Sequence, residues 1–241
     1  AAMATLSKGD VVTYGIDNDA FVRASEIDVH GFGKTTFTLA VGKERARVTF
    51  PLNGRHNILN ALAAASAGHI FEMTAAEIAE SLSNVAARPQ RGEILRFKKG
   101  FVVVNDSYNS NPDALLSMVS MLCDSAPKGA RKIVVAGEML ELGPDAAAIH
   151  RRVGRDIAKR GIERLIGVRG FGSELVAGAE DGGIVDPVFA ADSVVAARVL
   201  CDMIEKGDVV LVKGSRGVRT EKIIEALLEN FELEGDSAAI S

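Results

Sequence analysis

Short runs in which apolar, β-branched and aromatic residues alternate with polar ones fill the first fifty positions, and Ala- and Leu-rich stretches with helical spacing follow. Asp10 to Tyr14, Phe21 to Val29, Phe37 to Val41 and Arg47 to Phe50 predict four strands, with glycine-containing turns among their connections. Arg55 to Ala67 predicts a helix. Thr74-Ala75-Ala76-Glu77 has the Thr-x-x-Glu spacing in which two side chains each satisfy an amide at a helix start, and predicts a second helix to about Leu82. Arg88-Pro89-Gln90-Arg91-Gly92 breaks the periodicity and divides the chain into domains of residues 1–89 and 90–241.

Beyond that break strands and helices alternate. Phe101–Val104, Lys132–Ala136, Leu165–Val168 and Val209–Val212 read as strands. Pro112–Leu122, Ala146–Arg160, Ser193–Ile204 and Glu221–Leu228 read as helices. The strands are apolar throughout rather than alternating, as expected when helices cover both faces of a sheet. The pattern predicts an α/β protein with a mainly parallel sheet in its second half.

Composition narrows the class. The 241 residues suffice for one large or two modest domains, and 47% apolar content supports a real core. A net charge of −4 without a basic stripe argues against nucleic-acid binding. Cys123 and Cys201 fall in separate helical patterns and read as buried thiols in a reducing compartment. No apolar run is long enough for a membrane span and no signal-peptide pattern opens the chain, which predicts a soluble cytoplasmic protein without membrane insertion. The opening Ala-Ala-Met-Ala-Thr reads as a cut edge and the closing Gly235 to Ser241 as a frayed end.

The candidate chemistry lies where strands end. Val102-Val103-Val104 stops at Asn105-Asp106-Ser107, and Asn111-Pro112 then opens a helix with an N-cap and a first-turn proline. Side-chain oxygens between a strand end and a helix start mark the ligand edge of open α/β sheets, although the same three residues can simply build a turn. Gly137 to Gly143 follows another strand, with His150 in the next helix; the alternative is an acidic loop and a surface histidine. Lys213-Gly214-Ser215-Arg216-Gly217 follows a third, offering two cations and backbone amides to an anion; the alternative is a solvated basic loop. Three polar loops at one sheet edge are less easily dismissed than any one. Earlier, His56 and Asn60 share a helix face at i, i+4, a placement suited to an adenine edge. There the alternative is Asn57 as a cap and Asn60 on a solvated face. Gly33-Lys34-Thr35-Thr36 resembles the end of a phosphate-binding loop, but Asp28 stands where that motif needs glycine. Phe37 to Val41 then runs on as a strand rather than a helix, so these residues read as a hairpin turn.

Taken together, GRHNILNALAAA, RGE, NDSYNSNPDAL, GEMLELG with its following histidine, and VLVKGSRG stand in the order found in Mur ligases. The chain resembles that family over nearly its whole length. Its Tyr-Asn-x-Asn-Pro, Glu-Leu-Gly and Lys-Gly-Ser-Arg elements most resemble the branch that joins D-alanyl-D-alanine to UDP-N-acetylmuramoyl-tripeptide. Other amide ligases of the superfamily fit Tyr108-Asn109 less well. The resemblance implies the end of a central ATPase domain followed by a Rossmann-like C-terminal domain. It implies ATP-dependent amide bond formation in peptidoglycan precursor synthesis, with ATP and Mg2+, by a cytoplasmic monomer. In the family a UDP-substrate domain, a P-loop and a modified lysine that helps hold magnesium come first. None is in this chain, which on that reading is the C-terminal half of a ligase and inactive alone.

By the same resemblance Asn60 would face adenine, with His56 and Asn57 shaping its pocket. Asp106 would accept ribose hydroxyls, and Arg91 would reach the γ-phosphate or the acyl phosphate. Tyr108, Asn109, Ser110, Leu140 and Ser215 would hold the incoming amine, with Lys213 and Arg216 on the dipeptide carboxylate. No residue is assigned to a metal. Arg88 to Gly92 would be the hinge about which the second domain closes. A Rossmann-like binding module without catalysis and a purely structural domain remain the readings from other classes.

Overall fold

A computed structural model describes residues 7–235, so the expectations for the opening residues and for the last six lie outside the described part. Contacts divide the chain into two compact units, Ala1–Ala86 and Ala87–Ser241.

The first unit is a four-stranded sheet in the order β1 (Tyr14–Ile16), β2 (Val22–Val29), β3 (Thr35–Val41), β4 (Glu44–Phe50). β1 runs parallel to β2 and the other pairs are antiparallel. The first strand therefore starts at Tyr14, not Asp10. Tyr14 pairs with Val22, where β2 begins, so residues 10–13 lie outside the ladder. Phe37, Leu39, Val48 and Phe50 face Ile58 and Leu62 of α1 (Arg55–Ile70) and Ile78 and Leu82 of α2 (Ala75–Ser83). Each such side chain contributes about 1.5–3 kcal/mol when fully buried. The capping box at α2 forms as expected: Thr74 donates its amide to Glu77 Oε2 at 2.8 Å, and Glu77 donates its own to Thr74 Oγ1 at 3.3 Å. The Thr74 amide and the Thr74 hydroxyl, both donating to Oε2, hold the Glu77 carboxyl below its usual range.

Gly33-Lys34-Thr35 belongs to the β2–β3 hairpin. Gly31 and Gly33 take φ of 87° and 83°, and Thr35 already pairs with Val29. Buried Asn53 accepts the Gly33 amide and donates to the Gly31 carbonyl at 2.8 Å. That amide is therefore committed within the turn.

The second unit is a six-stranded sheet in the order β5 (Glu93–Arg96), β6 (Val102–Asp106), β10 (Val209–Lys213), β7 (Lys132–Gly137), β8 (Arg164–Val168), β9 (Val188–Ala190). Only β5 is antiparallel. The helices are α3 (Pro112–Ser125), α4 (Ala146–Ala158), α5 (Gly172–Asp181), α6 (Ser193–Met203) and α7 (Glu221–Asn230). Three elements go beyond the sequence reading: β5, α5 and β9. β5 and β9 are short edge strands, and α5 is masked by glycine. A Cβ on Gly154 would collide with the Leu175 carbonyl and one on Gly178 with the Arg151 carbonyl, so these glycines let α4 and α5 approach closely.

Crossovers carry the chain from β6 to β7, β8 and β9 with α3, α4 and α5 packed side by side on one face. α6 then returns it to β10, between β6 and β7, and packs with α7 on the other face against Val103, Ile133, Val135, Val210 and Val212. Connections leaving β10 and its neighbours thus diverge to opposite faces, which opens a crevice at their carboxyl ends.

Candidate ligand site at the carboxyl edge of the second sheet

Parallel register brings the three polar loops level. Lys213, the last residue of β10, pairs with Asp106 of β6 on one side and Ala136 of β7 on the other. β6 thus continues two residues past Val104, and Asn105 and Asp106 are strand residues. Asn105 accepts the Ser107 hydroxyl at 2.7 Å and donates to Glu93 at 2.9 Å, tying the strand end to β5. Asn111 caps α3 by accepting the Ala114 amide at 2.8 Å, with Pro112 in the first turn as the sequence indicated.

Lys213 is 4% exposed, and its ammonium donates to the Asp106 carboxylate and, at 2.8 Å, to the Asn109 carbonyl. Only Asp106 Oδ2 is used in this bridge; Oδ1 has no partner among the described residues. The loop after β7 is held from behind by His150, which is 0% exposed rather than a surface residue. Its Nδ1 donates to the Ala146 carbonyl at 2.6 Å, and its Nε2 accepts the Met139 amide at 2.9 Å. Burial pushes its pKa below the ordinary histidine range, against the opposing pull of the Ala146 carbonyl and the Glu138 and Glu174 carboxylates. The next amide, Leu140, donates to Ser215 Oγ at 3.0 Å and joins the loop after β7 to the loop after β10.

Tyr108, Asn109, Ser110, Leu140, Ser215 and Arg216 line a cavity of roughly 480 Å³. The Ser110 hydroxyl, in a residue 5% exposed, has no hydrogen-bond partner among the described residues. The Arg91 guanidinium lies 4.0 Å from the Tyr108 ring centre and that of Arg216 lies 5.5 Å from it. Seven of the residues singled out in the sequence therefore gather around one opening, while Asp106 and Lys213 form an ion pair outside its lining. His56, Asn57 and Asn60 lie on α1 in the other unit. His56 is half-buried and Asn60 exposed. Asn57 does not cap the helix: Gly54 stands at the cap with φ 93°, and Asn57 donates to the Asn53 carbonyl at 2.8 Å.

One support was singled out in the sequence without its burial being foreseen, and another was not singled out. His150 occupies the buried stripe Ala146, His150, Val153, Ile157 of α4, a spacing that signals burial once the helix is known. Arg169 donates to the Gly217 carbonyl at 2.7 Å, and its left-handed φ of 63° has no sequence signature. Both cysteines are half-buried and free, and burial raises both thiols above their usual range. Among the described residues no helix is long and apolar enough to cross a membrane.

Residues 90–216 match the family description "Mur ligase, glutamate ligase domain" and residues 1–68 match "Mur ligase middle domain". The chain is similar to the UDP-N-acetylmuramoyl-tripeptide–D-alanyl-D-alanine ligase of Escherichia coli (strain K12), with 33% identity over 208 residues, 86% of this chain and 44% of the relative. In fold it is like MurF from Acinetobacter baumannii, with a TM-score of 0.79 at 23% identity over 91% of this chain and 47% of that one. MurF from Thermotoga maritima in complex with ADP gives 0.77 at 21% identity, over 90% and 48%. The chain spans less than half the length of each of these three proteins. With the first of these family matches alone taking in more than half of its residues, the chain belongs to the Mur ligase family.

Proposed function

We propose that this chain supplies the amine-substrate side, and part of the nucleotide side, of a ligase that joins D-alanyl-D-alanine to UDP-N-acetylmuramoyl-tripeptide. The carrying observation is the cavity lined by Tyr108, Ser110 and Arg216, where two guanidinium groups gather against one ring at the carboxyl edge of β6, β7 and β10. The names of the similar proteins supply the substrate class. Residues 1–89 are read as the end of the ATP-binding domain and 90–241 as the domain that holds the amine.

Each residue then has a chemical task. His56 and Asn60 present one helix face to adenine, with Asn57 braced on the Asn53 carbonyl. Asp106 Oδ1 takes ribose hydroxyls while Oδ2 stays on Lys213. Arg91 neutralises phosphoryl oxygens, first on the γ-phosphate and then on the acyl phosphate. Asn109, Ser110, Leu140 and Ser215 line the place of the dipeptide, and Arg216 binds its carboxylate. Lys213, assigned to that carboxylate from sequence, already serves two protein acceptors, so its task is to hold Asp106 and the Asn109 carbonyl.

In the reaction a tripeptide carboxylate oxygen bonds to the γ-phosphorus as the bond to the ADP oxygen breaks. The dipeptide amine attacks the acyl carbon and loses a proton. The tetrahedral intermediate then expels phosphate with the C–O electron pair. Fixed guanidinium charge stabilises oxyanions in both steps. No cluster of three His, Cys, Asp or Glu able to hold a metal occurs among the described residues, and no step here runs through a metal held by this chain.

The test is phosphate release from ATP by the full-length protein with the nucleotide tripeptide, comparing D-alanyl-D-alanine with single amino acids. Release that requires the dipeptide is expected. Release supported equally by a single amino acid would assign the chain to another branch of the family.

A further inference from the structure

The aromatic ring of Tyr108 lies against two arginines that come from distant parts of the second unit. Arg91 precedes β5 at one edge of the sheet; Arg216 follows β10 near its middle. Neither guanidinium has a carboxylate or hydrogen-bond partner among the described residues, so the ring is the group that each one meets. The backbone brings all three to this place by separate means. Gln90 and Gly92 take φ of 63° and 71°, so Arg91 projects from a kink. The Gln90 carbonyl accepts the Tyr108 amide at 3.3 Å, which fastens that kink to the loop carrying the ring. On the other side, Ser215 accepts the Leu140 amide and Gly217 accepts Arg169, so the backbone is held on both sides of Arg216.

We propose that Tyr108 is a positioning residue whose ring seats Arg91 and Arg216 together, so that two like charges are held ready for the anions of the bound reactants. The inference deepens the ligase reading and rests on it for the identity of those anions, a phosphoryl group for Arg91 and a carboxylate for Arg216. Physically, two guanidinium groups repel each other and on flexible side chains would separate into solvent. The negative face of one ring offsets that repulsion while leaving their N–H edges available. Ser110 lines the same cavity, and its buried hydroxyl has no hydrogen-bond partner among the described residues. Because the ring and not the phenol oxygen does this, phenylalanine should serve in its place.

Two measurements test it. In the NMR spectrum of this chain, the Arg91 and Arg216 side-chain protons should be shifted upfield by the ring. That shift should persist in Tyr108→Phe and vanish in Tyr108→Leu. Random-coil positions for both arginines in the unmodified chain, or shifts unchanged in Tyr108→Leu, would overturn the proposal. In the full-length enzyme, Tyr108→Leu should raise the KM for the dipeptide and lower kcat, together costing roughly tenfold in kcat/KM, with Tyr108→Phe near the unmodified value. A Phe variant as impaired as the Leu variant would also overturn it, because the hydroxyl would then be the working group. Ring shifts as expected in a full-length protein without ligase activity would leave the seating intact and refute the ligase reading.

Discussion

Lys213 and Asp106 occupy paired positions at the ends of adjacent parallel strands, and their side chains close a buried ion pair across that register. The pair joins β10 to β6 at the edge where the cavity opens, and through the Asn109 carbonyl it reaches the loop that carries Tyr108 and Ser110.

Removing one partner should cost more than a surface bridge would. Lys213→Ala leaves a largely buried carboxylate unpaired, and breaking such a pair costs about 3–5 kcal/mol. Urea denaturation should show that loss, and Lys213→Met combined with Asp106→Asn should recover much of it. A Lys213→Ala midpoint equal to that of the unmodified chain would mean that the pair is not structural.

Asp106 serves two ends in the proposed enzyme. A carboxylate that did nothing but accept ribose hydroxyls would, when replaced by alanine, weaken ATP binding with little effect on folding. The ion pair adds a structural effect: Asp106→Ala should both lower stability and raise the KM for ATP, the latter by the about 1–3 kcal/mol that lost hydrogen bonds typically carry. Measuring melting temperature alongside ATP kinetics separates the two effects. An unchanged KM for ATP would remove the ribose role.

Arg216→Ala in the full-length enzyme should raise the KM for D-alanyl-D-alanine roughly tenfold or more, since a charge-assisted hydrogen bond contributes about 1.5–3 kcal/mol. The ATP constant should move much less. If ATP binding suffers more than dipeptide binding, the loop after β10 serves the nucleotide instead.

His150 makes stability depend on pH. Burial holds its folded pKa below the unfolded value, so as pH falls the unfolded chain takes up the proton first. Its contribution is therefore complete above about pH 6.5 and is lost between there and the lower folded pKa. Protonation would also give Nε2 a hydrogen facing the Met139 amide. Melting temperature followed from pH 8 to pH 5 should fall less steeply in His150→Gln. An identical slope in the variant would assign the pH dependence to other groups.

The 241-residue chain alone should release no phosphate from ATP with both other substrates present. Its one Gly-Lys-Thr stretch lacks the earlier glycine of a phosphate loop, and the Gly33 amide is taken by Asn53. Substrate-dependent phosphate release by the purified chain would refute this.

Local chemistry made much of the fold legible. Apolar strands without alternation announce a covered parallel sheet, Thr74 to Glu77 specifies a helix start, and Asn111-Pro112 specifies another, because caps and periodicity act over a few residues. The chain order of the polar loops likewise marked one sheet edge as the place to look. What no local rule contains is which distant residues meet. Lys213 and Asp106 are 107 positions apart and become partners only because α6 returns the chain to insert β10 between β6 and β7. The same insertion brings Arg216 to the ring of Tyr108 and Ser215 to the loop after β7. α5 looked too rich in glycine to be a helix because the reason for its glycines, close passage against α4, exists only once the two helices are packed. The sequence determined the elements and the loops that carry polar groups. Tertiary structure decided which of those groups are spent on one another and which remain for a ligand, because that depends on strand order and register, to which short-range propensity is blind.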